Sequence, residues 1–111
     1  MNWEKLESLS QLEDIKNESH NKSVLIFKHS TTCSISSMAW DRLRRNWKEE
    51  ETENIKPYYL DLHSFRDISN KVAEEFDVMH QSPQVILVHK GEVKYSTSHM
   101  GINYKDILSN A

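Results

Sequence analysis

Residues Val24 to Ser36 read VLIFKHSTTCSIS and contain Cys33, the one cysteine of the chain. Val24, Leu25, Ile26 and Phe27 form an unbroken apolar run, the pattern of a strand covered on both faces. Ser30, Thr31 and Thr32 are turn and helix-capping types. From about Cys33 onward Ile35, Ala39, Leu43 and Trp47 recur at helical spacing, with Met38 and Trp40 beside them. The stretch predicts strand, turn and helix, with Cys33 where the helix begins.

A helix start offers unpaired N–H groups and the positive end of the dipole, and both favour thiolate over thiol. The thiolate is the attacking species in disulfide exchange. Ser36 lies one helical turn past Cys33, near enough for its hydroxyl to be expected as a donor to the sulfur. Cys33 could instead be a small buried hydrophobe. The polar surroundings, Ser-Thr-Thr-Cys-Ser, argue against that, because core cysteines have apolar neighbours.

The chain has 111 residues, enough for one domain spanning 1–111 and its core. A net charge of -3 implies no general attraction to nucleic acid or anionic lipid. No apolar run has the length of a membrane span, and the polar Met1–Ser10 lacks the pattern of a signal peptide. These features predict a cytoplasmic protein in a reducing compartment; a monomer is expected, though no feature of the sequence fixes the oligomeric state. A single cysteine allows no internal disulfide, so a redox cycle needs an external thiol. It also excludes a zinc site built on cysteine pairs.

Outward from the central stretch, Leu6, Leu9, Leu12 and Ile15 predict a helix from Trp3 to about Glu18. The helix after Cys33 is expected to run to the acidic patch Glu49, Glu50, Glu51 and Glu53, pairing with Arg42, Arg44 and Arg45. Pro57–Leu62 (PYYLDL) reads as a second strand, parallel to the first across a right-handed crossover. Ser64 is placed to cap a third helix, with Asp67 at capping-box distance and Phe65, Ile68, Val72, Ala73 and Phe76 as its buried stripe. Val78–Pro83 is a loop, followed by the apolar run Val85–Val88. Lys90-Gly91-Glu92 predicts a hairpin turn with Gly91 at positive φ. Val93, Tyr95 and Thr97 then alternate with polar residues, the mark of an edge strand. Asn103 is expected to cap a final helix with Tyr104, Ile107 and Leu108 inside. The sum is an α/β fold: a four-stranded mixed sheet flanked by helices, with an extra N-terminal helix.

This order resembles the thioredoxin fold. Cys33 lies where that fold keeps its nucleophile, and Ser82-Pro83 where it keeps a cis-proline facing the nucleophile. HKGEV followed by MGIN resembles its terminal hairpin, glycine and last helix. More narrowly, FKHSTTCSIS, the YLDL strand, Arg66 with Ser69-Asn70, HQSPQVI and Ser98-His99 resemble the monothiol bacilliredoxins of the bacillithiol system. The resemblance covers nearly the whole chain. It implies a thiol–disulfide oxidoreductase in which Cys33 removes bacillithiol from bacillithiolated proteins. Bacillithiol would be the thiol co-substrate, and no cofactor would be tightly bound. Thr31, Thr32, Ser82 and Pro83 would line the substrate, with a cis Ser82–Pro83 peptide turning the Ser82 backbone outward. Ser36 stands where thioredoxins carry a resolving cysteine, and Phe27 where they carry a buried carboxylate. Dithiol chemistry is therefore out. The chain also lacks the glycine pattern with which glutaredoxins hold glutathione.

Six histidines are present, and no pair has zinc-motif spacing. His29 and His80 are placed on loops flanking the site, where either could stabilise a thiolate or move a proton. Lys28 and Arg66 are the cations expected near it. Bacillithiol carries a malate group, which an arginine fork would suit; Arg66 reads equally as an ordinary surface residue. Two further readings stay open: an iron–sulfur carrier bridging two copies, one cysteine from each, and a redox-inactive binding module of the same fold.

Overall fold

The computed structural model describes residues 3–111. The strands are β1 (Glu4–Lys5), β2 (Ser23–His29), β3 (Ile55–Asp61), β4 (Gln84–His89) and β5 (Glu92–Ser98). The helices are α1 (Ser10–Glu18), α2 (Ser34–Asn46), α3 (Arg66–Glu75) and α4 (Tyr104–Asn110). The sheet order is β1-β3-β2-β4-β5. β1 and β2 both run parallel to β3; β4 is antiparallel to β2 and β5 to β4.

β2 is central and every residue of it is buried, as an unbroken apolar run requires. Alternation divides its side chains between two cores. Val24 and Ile26 face α1 and α3, with Leu12, Ile15, Ile68 and Val72. Leu25 and Phe27 face α2 and α4, with Ala39, Leu43 and Ile107.

The sheet has five strands rather than the four expected. The first helix begins at Ser10, and Glu4–Lys5 instead pairs with Tyr58 and Tyr59. Trp3 and Leu6 share a face on a helix but fall on opposite faces of a strand. Here Trp3 packs against Trp40 and Trp47 on the α2 side, while Leu6 enters the α1–α3 core. A 2.9 Å ion pair from Lys56 to Glu4 holds the added strand to β3. Pro57 lies in β3 just before Tyr58, where β1 pairing starts, so its missing N–H falls on an open edge.

α2 stops at Asn46, short of the acidic patch. Trp47 turns extended and packs against Trp3 and Tyr104. The arginines pair elsewhere than with the glutamates: Arg44 with Asp41 at 2.6 Å, and Arg42 to the Ile102 carbonyl at 2.8 Å. α3 starts after Phe65, not under a Ser64 cap. Asp61 wins the contest for Ser64, accepting from its N–H and hydroxyl and from the His63 N–H.

Other expectations hold. The Lys90-Gly91 turn has φ of 53° and 77°, the type I′ geometry that fits a twisted hairpin. Both N–H groups of the turn donate to Ser19, at the end of α1. β5 alternates exposed and half-buried residues. The Asn103 side chain caps α4 by accepting from the Lys105 and Asp106 N–H groups. The Ser82–Pro83 peptide is cis, at the mouth of β4.

Candidate functional site

Cys33 is the N-cap residue of α2, with extended backbone (φ −109°, ψ 121°). Its N–H donates to the Ser30 carbonyl at 3.2 Å, and its carbonyl accepts from Ser37 at 3.1 Å. The cysteine thus ends a tight turn and opens the helix. Its side chain is half-buried and makes no capping hydrogen bond, so the sulfur is not tied to the helix start.

Ser36 lies in the first turn of α2 and is fully buried. Its hydroxyl oxygen accepts from the Ser30 N–H at 2.9 Å and lies 2.8 Å from His29 Nδ1. The hydroxyl is spent tying the helix start to the end of β2, where sequence spacing had suggested a donor aimed at the sulfur. His29 is the last residue of β2 rather than a loop residue. It is 6 % exposed and stacks on Phe27 with Tyr59 nearby. Burial holds its imidazole below the ordinary range, against the opposing pull of Asp61 and Asp41. A neutral His29 can accept a hydrogen bond from the Ser36 hydroxyl at Nδ1, leaving the Ser36 oxygen to accept from the Ser30 N–H.

On the other face of the sheet is Lys28. Alternation along β2 puts it on the side of Val24 and Ile26, and it is 0 % exposed. Its ammonium donates to the Ser69 carbonyl of α3 at 3.1 Å and to His80 Nδ1 at 3.2 Å. Burial brings its pKa down to about 8. His80 sits on the loop before the cis-proline, exposed, with its imidazole held low by burial and by the charges of Lys28 and Arg66.

His63 is a site residue that sequence reasoning missed. It lies on the turn between β3 and α3. Its Nε2 is 2.8 Å from the Ser30 hydroxyl and 3.1 Å from that of Thr32; its Nδ1 is 3.5 Å from the Arg66 guanidinium. The available signal was position: the β3–α3 turn and the cysteine turn lie at the same end of adjacent parallel strands. Gln84 was missed too. Buried in β4 opposite Lys28, it shapes the preceding loop by donating to the Met79 carbonyl and accepting from the Gln81 N–H.

The proposed residues therefore fall into two groups joined by the Ser30–Cys33 turn. Ser36 and His29 support it from the α2 side. Lys28, His80 and Arg66 cluster on the α3 side, and His63 bridges to Ser30 and Thr32. Thr31 is exposed on the turn. The Pro83 carbonyl accepts from the His99 N–H at 3.0 Å, which fixes the turn after β5 beside the loop; the buried Ser82 hydroxyl has no hydrogen-bond partner among the described residues. No group of three or more His, Cys, Asp or Glu poised for a metal occurs among the described residues. No helix of the described residues is long and apolar enough to cross a membrane.

The fold has many solved counterparts. The chain superposes on thioredoxin of Malassezia sympodialis with a TM-score of 0.76 at 13% identity, covering 97% of this chain and 86% of that one. Fasciola hepatica thioredoxin gives 0.72 at 13%, covering 96% and 93%. At such identities the likeness shows the thioredoxin fold alone. A structure described as a candidate oxidoreductase with a thioredoxin fold is nearer, with a TM-score of 0.81 at 34% identity over 96% of this chain and 91% of that chain. Residues 4–107 match the family described as monothiol bacilliredoxin BrxC, so the lone cysteine at the head of α2 has a family context: the chain belongs to the monothiol bacilliredoxins.

Proposed function

We propose that this protein is a monothiol thiol–disulfide oxidoreductase that removes bacillithiol from protein mixed disulfides. The Cys33 thiolate attacks the bacillithiol sulfur of the mixed disulfide. The protein–sulfur bond breaks, and the substrate protein leaves as a thiolate. A second bacillithiol thiolate then attacks the bacillithiol sulfur held on Cys33, giving bacillithiol disulfide and the free Cys33 thiolate. One disulfide is consumed and one is formed: the incoming bacillithiol thiol is oxidised to the disulfide level as the protein sulfur is reduced to the thiol, so the electrons balance.

The observation that carries this reading is the pairing of a half-buried Cys33 with a buried serine at the next turn. With no second thiol available, the mixed disulfide on Cys33 can be resolved only from outside. Protein-sized substrates are supported by exposed apolar side chains on and beside the cysteine helix. Ile35 and Met38 lie in the opening turns of α2, and Met100 on a turn packed against α2. Methionine surfaces adapt to varied partners. The enzyme would work as a monomer in the cytoplasm, without nucleic acid, membrane or resident cofactor.

The test is mass spectrometry of Cys33 after separate exposure to bacillithiol disulfide and glutathione disulfide, followed by release with the matching thiol. A bacillithiol adduct that forms and clears faster than the glutathione adduct is expected. Equal handling of both thiols would overturn the bacillithiol assignment, and no adduct from either would overturn the exchange reaction.

A further inference from the structure

His63 touches the cysteine turn and Arg66 backs it, Lys28 and His80 meet farther along α3 at Ser69, and among the described residues neither cation meets a carboxylate. Lys28 is the unusual member. A fully buried ammonium without an acid partner is costly, yet here it faces only a carbonyl and an imidazole nitrogen. Arg66 lies one helical turn before Ser69, whose carbonyl Lys28 holds, so both cations border the same strip of α3. Asp61, at the end of β3, is occupied by His63 and Ser64.

Each cation faces the Nδ1 of a histidine: Lys28 that of His80, Arg66 that of His63. A cation is accommodated only by a ring nitrogen that carries a lone pair. Both rings therefore carry their proton on Nε2. His63 spends its Nε2–H on Ser30 and Thr32, in the cysteine turn. His80 is exposed, and its Nε2–H has no partner among the described residues. The result is two outward donors, the His80 Nε2–H and the Arg66 guanidinium, backed by a buried charge that touches no ligand itself.

We propose that this cluster is a recognition site for a carboxylate on the low-mass thiol held in mixed disulfide with Cys33. The inference rests on the exchange reading. Two donors suit the two oxygens of a carboxylate, and the buried ammonium supplies charge at low local dielectric. The site selects which thiol is exchanged, while the chemistry stays on Cys33.

The test compares 3,3′-dithiodipropionate, which carries carboxylates, with the neutral 2-hydroxyethyl disulfide. Each rate of Cys33 adduct formation is normalised to that of a free model thiol. The wild-type ratio of carboxylate to neutral rate is expected to exceed one and to fall as salt rises. Arg66→Gln and Lys28→Met should each lower it roughly fivefold, the equivalent of about 1 kcal/mol. Arg66 is exposed, so its variant keeps the test clear of folding defects. A ratio near one in the wild type, or one unmoved by either variant, overturns the site while leaving exchange intact. A wild type that reacts with neither disulfide overturns the exchange reading and the site with it. Long-range nitrogen–proton correlation spectra give a readout independent of reactivity: His80 protonated on Nε2 supports the site, and protonation on Nδ1 refutes it.

Discussion

Lys28→Met is expected to stabilise the protein near neutral pH while impairing its selectivity. The amine is fully buried, and its pKa falls from the ordinary 10.5 to about 8. That gap corresponds to roughly 3 kcal/mol of opposition to the charged form. Below pH 8 the amine is charged in both folded and unfolded chains, and folding bears the full penalty. Between 8 and 10.5 the unfolded chain still holds the proton that the folded chain has released. Stability therefore rises with pH through that window, and the penalty is gone above it. Methionine matches the length of the lysine stem and carries no charge. It forfeits the hydrogen bonds to the Ser69 carbonyl and His80, worth about 1 kcal/mol between them because His80 can turn to water. The net gain near pH 7 is about 1–2 kcal/mol, or roughly 4–8 °C in melting temperature for a domain of this size. Thermal unfolding followed by tryptophan fluorescence at pH 7 and pH 10.5 reads it directly. A variant less stable than wild type at pH 7 would refute the reasoning, as would a gain that is equally large at both pH values.

Three further substitutions test the remaining framework. Cys33→Ser should abolish adduct formation and exchange while leaving the melting temperature within a few degrees, since the sulfur makes no capping hydrogen bond; retained exchange would move the chemistry elsewhere. Ser36→Ala strands the Ser30 N–H and His29 Nδ1 in a buried site and should cost about 1–3 kcal/mol in urea unfolding, whereas a neutral result would mean that the two groups find other partners. Gly101→Ala would set a Cβ 2.6 Å from the Thr97 hydroxyl oxygen, so it should destabilise by about 1–3 kcal/mol, with most of the loss recovered by adding Thr97→Ala.

What the sequence disclosed and what it withheld divide along a physical line. The β2 run, the Lys90-Gly91 turn and the Asn103 cap rest on local rules: apolar periodicity, left-handed backbone and side-chain capping; the cis-proline is expected from the resemblance to the thioredoxin fold, not from local sequence. The errors arose where a distant partner decided. Trp3 left the helical pattern because Trp40 and Trp47 supply its contacts, and α2 ended early because Trp47 packs on Trp3 and Tyr104. Ser36 pairs with the end of the preceding strand rather than with its helical neighbour. His63 meets Ser30 across more than thirty residues of chain, a contact no spacing rule encodes.

Lys28 lies between these cases. Period-two alternation assigns it to the face of Val24 and Ile26, so its burial under α3 could be read from β2 alone, before any partner is known. A lysine at that register contradicts the hydrophobic pattern that makes β2 a central strand, and local and global requirements agree at every other residue from Val24 to Phe27. Sequences depart from such agreement at functional positions and bear a stability cost there. The departure itself therefore singles out Lys28 for the proposed carboxylate site. It also explains why the cationic cluster stands on the α3 side of the sheet, across from the helix that carries the sulfur. A charge buried beneath α2 would compete with the Ser36–His29 support of the cysteine turn. From beneath α3 the ammonium meets the Ser69 carbonyl and His80 instead, on the opposite face of the sheet from the Ser36–His29 pair.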